Sequence, residues 1–217
     1  METAKKTVGV ADIVLVGLFS ALVFAASWLQ IGIPTPLGNT RIHLGNVLCL
    51  LSGFMLGALR GGLAAGVGSM LFDFTNPLYF ASAPFTLAFK FVMGFLCGLI
   101  GSRIRDAEKV KYRVLNAETG ALAFNVTKKQ NDFVYKIIAA AVGQLTYIAL
   151  YLGKGYYWDA LTVQKSSPEA AWIDVVVGKA PVSLFNGLLA VVISVPLALA
   201  LQKALKGVPL MKKIKKG

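Results

Sequence analysis

The sequence predicts an all-α membrane protein built as a bundle of six transmembrane helices. Of its 217 residues, 56% are hydrophobic, and the mean hydropathy is +0.67. Soluble domains are usually about 45–50% apolar, even when Gly is counted. Nothing resembles the alternating ten-residue strands of a barrel, and an open sheet cannot satisfy its edge groups in lipid. Helices are therefore the expected spanning elements.

Six apolar segments are long enough to be considered as spans, and together they form a single integral membrane domain over residues 1–217. A membrane helix needs about 20 mostly apolar residues. The first segment lacks a small-residue cleavage site, so we expect it to be a retained helix. The second and third segments are the shortest, and the last is longer than the hydrocarbon requires. The predicted helices are about 9–30, 42–58, 61–76, 84–102, 132–153 and 171–203.

The distribution of basic residues predicts the orientation of the bundle. The net charge is +12, and 17 of the 22 Lys and Arg residues lie on the side of the N-terminus when the six segments are threaded through a bilayer. Cytoplasmic loops are enriched in such residues. Both termini and the loop 103–131 are therefore expected in the cytoplasm. The β-prone stretches around the turn signal 116–120 suggest a small hairpin within that loop.

Several classes of function are disfavoured by what the sequence lacks. The positive charge sits in termini and one loop rather than on a foldable basic face, which argues against nucleic-acid binding. Cys49 and Cys97 lie in apolar runs without metal-ligand spacing, so neither a metal site nor a cofactor is expected. No catalytic set and no Walker sequence is present, so the chain is not expected to be an enzyme or an ATPase.

The connections on the outer side differ in composition from the inner ones. They cover about 31–41, 77–83 and 154–170, and they are rich in Pro, Asn, Gly and aromatic residues. Such segments can form ordered lids, because Pro limits their freedom and Tyr or Trp supplies contact area at low entropic cost. The alternative is an ordinary interfacial aromatic belt. It applies equally to Trp28, Tyr79, Tyr156, Tyr157, Trp158 and Trp172.

Ionisable groups inside spans are costly and are therefore candidates for function. Lys90 and Lys179 are predicted at similar depth in the outer half, with Asp73 near them. Helical spacing aligns polar residues on the fifth and sixth helices, so these faces can converge into a pocket for a small, polar, ring-containing ligand. The alternative is that Asp73 merely neutralises Lys90 or Lys179. The predicted substrate-binding residues are Lys90, Lys179, Asn186, Ser183, Tyr147, Gln144, Tyr151, Asn76, Tyr79, Phe80, His43 and Asn46.

Small residues recur at helical spacing in the first four segments, which lets helix backbones approach closely. Gly57, Gly61, Gly94 and Gly98 are examples, and internal packing is the simplest interpretation of them.

The stretch from Ile42 to Gly68, together with Asp73, Ala83-Pro84-Phe85-Thr86 and residues 90–94, resembles a known family. It is similar to substrate-binding S components of energy-coupling factor (ECF) transporters, in the riboflavin-type branch that includes proposed carriers of vitamin B6 and of hydroxymethylpyrimidine. The specific similarity covers about residues 10–102. Loop 103–131 is longer than the family pattern, and no motif fixes the ligand.

The resemblance implies six helices with both termini inside and a vitamin pocket in the outer half. It also implies partners: a transmembrane coupling subunit that docks on Ala21 and Ala25, and two ATPase subunits that drive release inward by toppling of the S component. The best substrate guess is a B6-like pyridine or the related pyrimidine, although the same residues would serve riboflavin or pantothenate.

Two other classes remain open at this point. A stand-alone ion-coupled porter should carry acidic residues near the midplane, and a membrane-embedded enzyme should carry a catalytic set. The expected location is the bacterial plasma membrane, as a multi-pass protein in the lipid bilayer.

Overall fold

The computed structural model describes residues 9–119 and 128–205, with side chains described for 9–101 and 132–205. The described chain is mostly helical, as the sequence predicts. Its helices are α1 (Val10–Ser27), α2 (Gly45–Leu56), α3 (Ala58–Thr75), α4 (Ala83–Thr119), α5 (Lys128–Lys154), α6 (Pro168–Ile173) and α7 (Ala180–Ala204). A short 3₁₀ turn covers Phe80–Ser82, and two π-helical segments cover Gly155–Val163 and Asp174–Lys179.

Within the described part of the chain, four stretches are long and apolar enough to cross a membrane. They are Val10–Ser27, Phe80–Gly101, Asp132–Val163 and Pro168–Ala204. The last joins α6, the second π-helical segment and α7 into one continuous run of 37 residues. Helix α2 is apolar but has only 12 residues, which would span about 18 Å at the α-helical rise and is shorter than the hydrocarbon core.

The connection after α1 is a β-hairpin, so the all-α prediction is wrong here. Strand β1 (Gln30–Thr35) pairs antiparallel with β2 (Gly38–His43), and the pair Thr35 and Gly38 closes a two-residue turn. Ile31, Ile33 and Thr35 alternate along β1, which favours a strand. The helix that was predicted to reach residue 30 consequently ends at Ser27.

Helix α2 lies at the centre of the bundle, although its segment is among the shortest. Eleven of its twelve residues are buried, and it packs against α1, α3, α4 and α7. A single residue, Gly57, joins α2 to α3 with a φ of 84°, a conformation that L side chains rarely adopt. The chain therefore reverses between two packed helices without a loop.

Glycines bring the backbones of α2, α3 and α4 into contact. A Cβ on Gly53 would lie 2.6 Å from the carbonyl oxygen of Gly94, and a Cβ on Gly98 would lie 2.5 Å from the carbonyl carbon of Gly57. Neither could be accommodated without moving backbone. Internal packing thus accounts for these glycines.

The predicted loop 103–131 is largely helical where the structure describes it. Residues 103–119 continue α4, and residues 128–131 begin α5. The predicted hairpin is therefore wrong over these residues, while 120–127 lie outside the described residues. Neither Gly nor Pro occurs between residues 102 and 119, so nothing in this charged stretch breaks the helix.

The predicted outer connection 154–170 is also mostly helical. It consists of the π-helical segment Gly155–Val163, a short link and α6. The Ser167 side chain caps α6 by accepting a hydrogen bond from the backbone N–H of Ala170 at 3.2 Å. The aromatic residues at 156–158 therefore project from helical turns rather than from a loop.

Candidate functional site

A cavity of about 340 Å³ lies at the end of the bundle where three connections meet. Its walls come from the hairpin, the connection after α3 and the first π-helical segment, and from side chains of α4, α5 and α7. This size is at the lower end of the range for small-molecule pockets, roughly 300–1,000 Å³. The cavity is therefore the candidate functional site.

Most of the predicted substrate-binding residues meet at this cavity. Gln144, Asn76 and Phe80 do not line the cavity. Gln144 is buried between helices beside Gly187, with no hydrogen-bond partner for its amide among the described residues. Asn76 accepts a hydrogen bond from the N–H of Leu78 at 3.1 Å, and Phe80 is mostly exposed. The nine that line the cavity are Lys90, Lys179, Asn186, Ser183, Tyr147, Tyr151, Tyr79, His43 and Asn46.

Lys90 on α4 lies in a polar and aromatic setting. Its side-chain ammonium donates a hydrogen bond to Oδ1 of Asn46 on α2, and Nζ is 3.8 Å from the centroid of the Tyr147 ring. Tyr147 in turn stacks on Tyr151 one helical turn along α5, with ring centroids 6.0 Å apart. The cavity thus combines a buried cation with aromatic faces.

Lys179 forms an ion pair that the sequence analysis did not foresee. Its Nζ lies 2.8 Å from Oδ2 of Asp174, five residues earlier on the second π-helical segment. Asp174 is fully buried, and its Oδ1 accepts a hydrogen bond from the backbone N–H of Leu37 at 2.9 Å. The carboxylate therefore links Lys179 to the hairpin turn. The i to i+5 spacing of a π-helical turn aligns these residues, whereas an α-helix would separate them.

Asp73 does not neutralise either lysine, so that alternative is wrong. It pairs instead with Arg41 on β2, with 2.7 Å between Oδ1 and Nη2. The Arg41 guanidinium also lies against the rings of Phe72, at 4.8 Å, and Tyr79, at 4.0 Å. Burial raises the pKa of the Tyr79 hydroxyl above its usual value.

Arg41 was missed as a candidate site residue. Its charge entered only the prediction of how the bundle is oriented in the membrane. One signal was available: Arg41 is a basic residue in an outer connection, against the positive-inside trend, and such a residue calls for a local partner.

Asn186 holds β2 in place with both ends of its amide. Its Nδ2 donates to the carbonyl oxygen of Arg41 at 2.6 Å, and its Oδ1 accepts from the N–H of His43 at 3.1 Å. These bonds join α7 to the hairpin 143 to 145 residues away. Asn186 thus positions Arg41 and His43 at the cavity wall.

His43 presents a neutral imidazole at the junction of β2 and α2. Its Nδ1 accepts a hydrogen bond from the N–H of Gly45 at 3.2 Å, which assigns the ring proton to Nε2. Burial, reinforced by the nearby charges of Lys90 and Arg41, holds the pKa of His43 well below its usual value. At the cavity this side chain can therefore act as a hydrogen-bond donor without adding charge.

Lys154, at the end of α5, ties two of the connections together. Its Nζ lies 2.7 Å from Oδ1 of Asp159 in the first π-helical segment and donates to Oγ of Ser82 at 2.7 Å. Gln164 completes the closure by donating from Nε2 to the carbonyl oxygen of Leu37 at 2.7 Å. None of these residues was predicted at the site, because the contacts to Ser82 and Leu37 join residues 72 and 127 positions apart in the sequence.

The predicted docking residues lie elsewhere, on α1. Ala21 and Ala25 are exposed, and Ala21 lines an apolar groove between α1 and α3. The opposite face of α1 packs on the bundle through Ser20, Val23 and Ser27. A small-residue surface is therefore open on this helix. Among the described side chains, no three His, Cys, Asp or Glu residues form a group that could hold a metal.

Comparison with known proteins adds the family. A search of curated proteins found no match. A family model described as "ECF-type riboflavin transporter, S component" matches residues 7–203, which is most of the chain and extends well beyond the region 10–102 that carries the sequence resemblance. This match agrees with the apolar helices and with a cavity lined by polar and aromatic side chains. The chain belongs to the family of S components of ECF-type riboflavin transporters, membrane proteins of vitamin uptake rather than enzymes.

Proposed function

We propose that this chain captures a small vitamin in the cavity and delivers it across the membrane. The observation that carries the proposal is the cavity itself: about 340 Å³, capped by three connections and lined by buried polar and aromatic side chains. Such a site suits a small ligand, and hydrogen bonds of Leu37 with Asp174 and Gln164 hold the hairpin turn at its wall.

The proposed topology is six transmembrane helices with both termini in the cytoplasm of a bacterial plasma membrane. Four stretches meet the length and hydropathy expected of a span. Helices α2 and α3 would complete the six, with α2 shielded from lipid by the surrounding helices. The basic residues favour the orientation with the cavity facing outward.

The proposed ligand is a single-ring vitamin, either a B6-type pyridine or hydroxymethylpyrimidine. Tyr147 and Tyr79 offer ring faces, while Lys90, Ser183 and the Nε2 of His43 offer hydrogen-bond donors. Riboflavin is the second candidate, because the description of the matching family names it. Pantothenate would also find donors here, although it has no ring to stack.

The proposed partners are a transmembrane coupling subunit and two ATPases. Exposed Ala21 and Ala25 on α1 provide a surface on which another helix can approach closely. The alternative of a stand-alone ion-coupled porter is less well supported. Asp73, the acidic residue that such a porter would use, is already held by Arg41 at 2.7 Å.

The first experiment is mass spectrometry of small molecules released from the gently purified, then denatured, chain. A stoichiometric vitamin would support capture and name the substrate. If nothing is released, titration of the empty chain with B6, hydroxymethylpyrimidine, riboflavin and pantothenate follows. Absence of binding to all four would refute vitamin capture as proposed. Uptake in vesicles without nucleotide would instead favour the porter.

A further inference from the structure

Not every positively charged residue that lines the cavity is paired with a carboxylate. Three of its four cations have a carboxylate within salt-bridge distance: Arg41 at 2.7 Å, Lys154 at 2.7 Å and Lys179 at 2.8 Å. For the fourth, Lys90, no carboxylate lies within 4.0 Å of Nζ among the side chains that the structure describes. The cavity therefore carries one positive charge that has no salt-bridge partner among the described protein groups.

Lys90 is also among the most buried of these cations, with 2% of its surface exposed. A buried ammonium is costly unless it is paired and hydrogen-bonded. Its two observed partners are the neutral Oδ1 of Asn46 and the face of the Tyr147 ring. An ammonium has three donors, so one remains for a further acceptor.

Arg41 also has a donor group without an acceptor. Nη1 of Arg41 is buried and has no hydrogen-bond acceptor among the described residues, although Nη2 is paired with Asp73. Buried donors are nearly always satisfied by protein, water or ligand. Arg41 and Lys90 both line the cavity, so two residues of its wall each have a donor without an acceptor among the described groups.

We propose that the ligand of this cavity carries an ionised oxygen, a ring hydroxylate or a carboxylate, and that Lys90 is the residue that selects for it. The inference rests on the proposed vitamin capture and narrows it. Pantothenate, a carboxylate, meets this requirement, and so does vitamin B6, whose ring hydroxyl is ionised at neutral pH while its ring nitrogen is protonated. Riboflavin and hydroxymethylpyrimidine are uncharged at neutral pH and do not.

Asn46 and Tyr147 fix the ammonium so that selectivity follows from geometry. The hydrogen bond to Asn46 and the contact with Tyr147 approach Lys90 from α2 and α5, which limits the rotamers of the long side chain. A charge-assisted hydrogen bond to an ionised oxygen is shorter and stronger than one to a neutral acceptor. A neutral ligand of the same shape would leave the buried charge uncompensated.

The test measures binding of four probes to the full chain in lipid nanodiscs at neutral pH by calorimetry. The probes are pyridoxine, pantothenate, riboflavin and hydroxymethylpyrimidine. We expect pyridoxine or pantothenate to bind about 100-fold more tightly than either neutral probe, and which of them does so identifies the source of the anionic oxygen. A neutral probe that binds at least as tightly would overturn the role of the ionised oxygen while leaving vitamin capture intact.

The variants separate charge recognition from structure. Lys90→Met should lose about 100-fold in affinity for the probe that carries the ionised oxygen. Lys136→Met is the matched control: Lys136 is also buried, and it pairs with Asp132 at 3.0 Å away from the cavity. Binding by this control should stay at the level of the unmodified chain.

The decisive readout uses a neutral analogue of the bound probe: pantothenol, or pyridoxine without its ring hydroxyl. In the unmodified chain the probe with the ionised oxygen should be strongly preferred to its analogue, and Lys90→Met should abolish the preference. If Lys90→Met weakens both compounds equally, the role of Lys90 is structural and the inference fails. If no probe binds to the unmodified chain, the proposed function fails first.

Discussion

Replacing Asp174 by Asn tests the buried ion pair with Lys179 most directly. Asp174 is fully buried, pairs with Lys179 at 2.8 Å and accepts the Leu37 N–H at 2.9 Å. An Asn side chain keeps the acceptor for Leu37 but removes the negative charge. Lys179, with 7% of its side chain exposed, would then be left as an uncompensated buried cation.

We expect Asp174→Asn to lower the free energy of unfolding by about 3–5 kcal/mol, the usual cost of breaking a buried pair from one side. The measurement is denaturant unfolding in mild detergent micelles. In the double variant with Lys179→Met no charge is left unpaired, so its loss should be smaller than that of Asp174→Asn alone. Equal losses in both variants would show that the ion pair is not what Asp174 contributes.

Three further predictions concern packing, pH and docking. Gly98→Ala should destabilise the bundle by about 1–3 kcal/mol, since its Cβ would meet the backbone of Gly57 at 2.5 Å. Gly153 has open space around it, so Gly153→Ala should not destabilise the bundle. Equal shifts of the melting temperature in the two variants would contradict the role of Gly98 in packing. The His43 pKa is lowered in the folded state, so the unfolded chain takes up the proton first and stability should fall below about pH 6.5, by up to about 1.4 kcal/mol per pH unit. His43→Gln should remove that part of the pH dependence, and an unchanged profile would speak against it. Ala21→Trp with Ala25→Trp should abolish nucleotide-driven uptake while ligand binding persists, because both side chains are exposed on α1; intact uptake would refute docking there.

The membrane class and much of the cavity wall could be predicted from sequence because they depend on local regularities. Apolar run length identifies spans, and the i, i+4, i+7 spacing of Lys179, Ser183 and Asn186 fixes a shared helix face. All three line the cavity. The same reasoning included Gln144 by its spacing to Tyr147, yet Gln144 lies behind the wall. Periodicity gives a face about 100° wide and cannot decide its edge.

The two ion pairs could not be predicted, because one depends on elements that meet only in the tertiary structure and the other on a π-helical turn. The hairpin brings Arg41 next to Asp73. The hairpin itself was not predicted, because Pro34 and Gly38 are residues typical of loops. Lys179 pairs with Asp174 because a π-helical turn aligns the two side chains, and no sequence pattern predicts such a turn. The helical extension of α4 was missed for a different reason: β-prone residues were given more weight than the absence of helix breakers.

Two of the ion pairs hold the hairpin against the rest of the bundle. Arg41 with Asp73 joins the hairpin to α3, and Asp174 joins Lys179 to the hairpin turn. A change at Arg41 or Lys179 would therefore alter both the closure of the cavity and any contact with the ligand. Lys90 differs, because its partners lie on the helices α2 and α5 rather than on a connection. Since a change at Lys90 leaves the closure in place, its effect on affinity reports on the ligand itself.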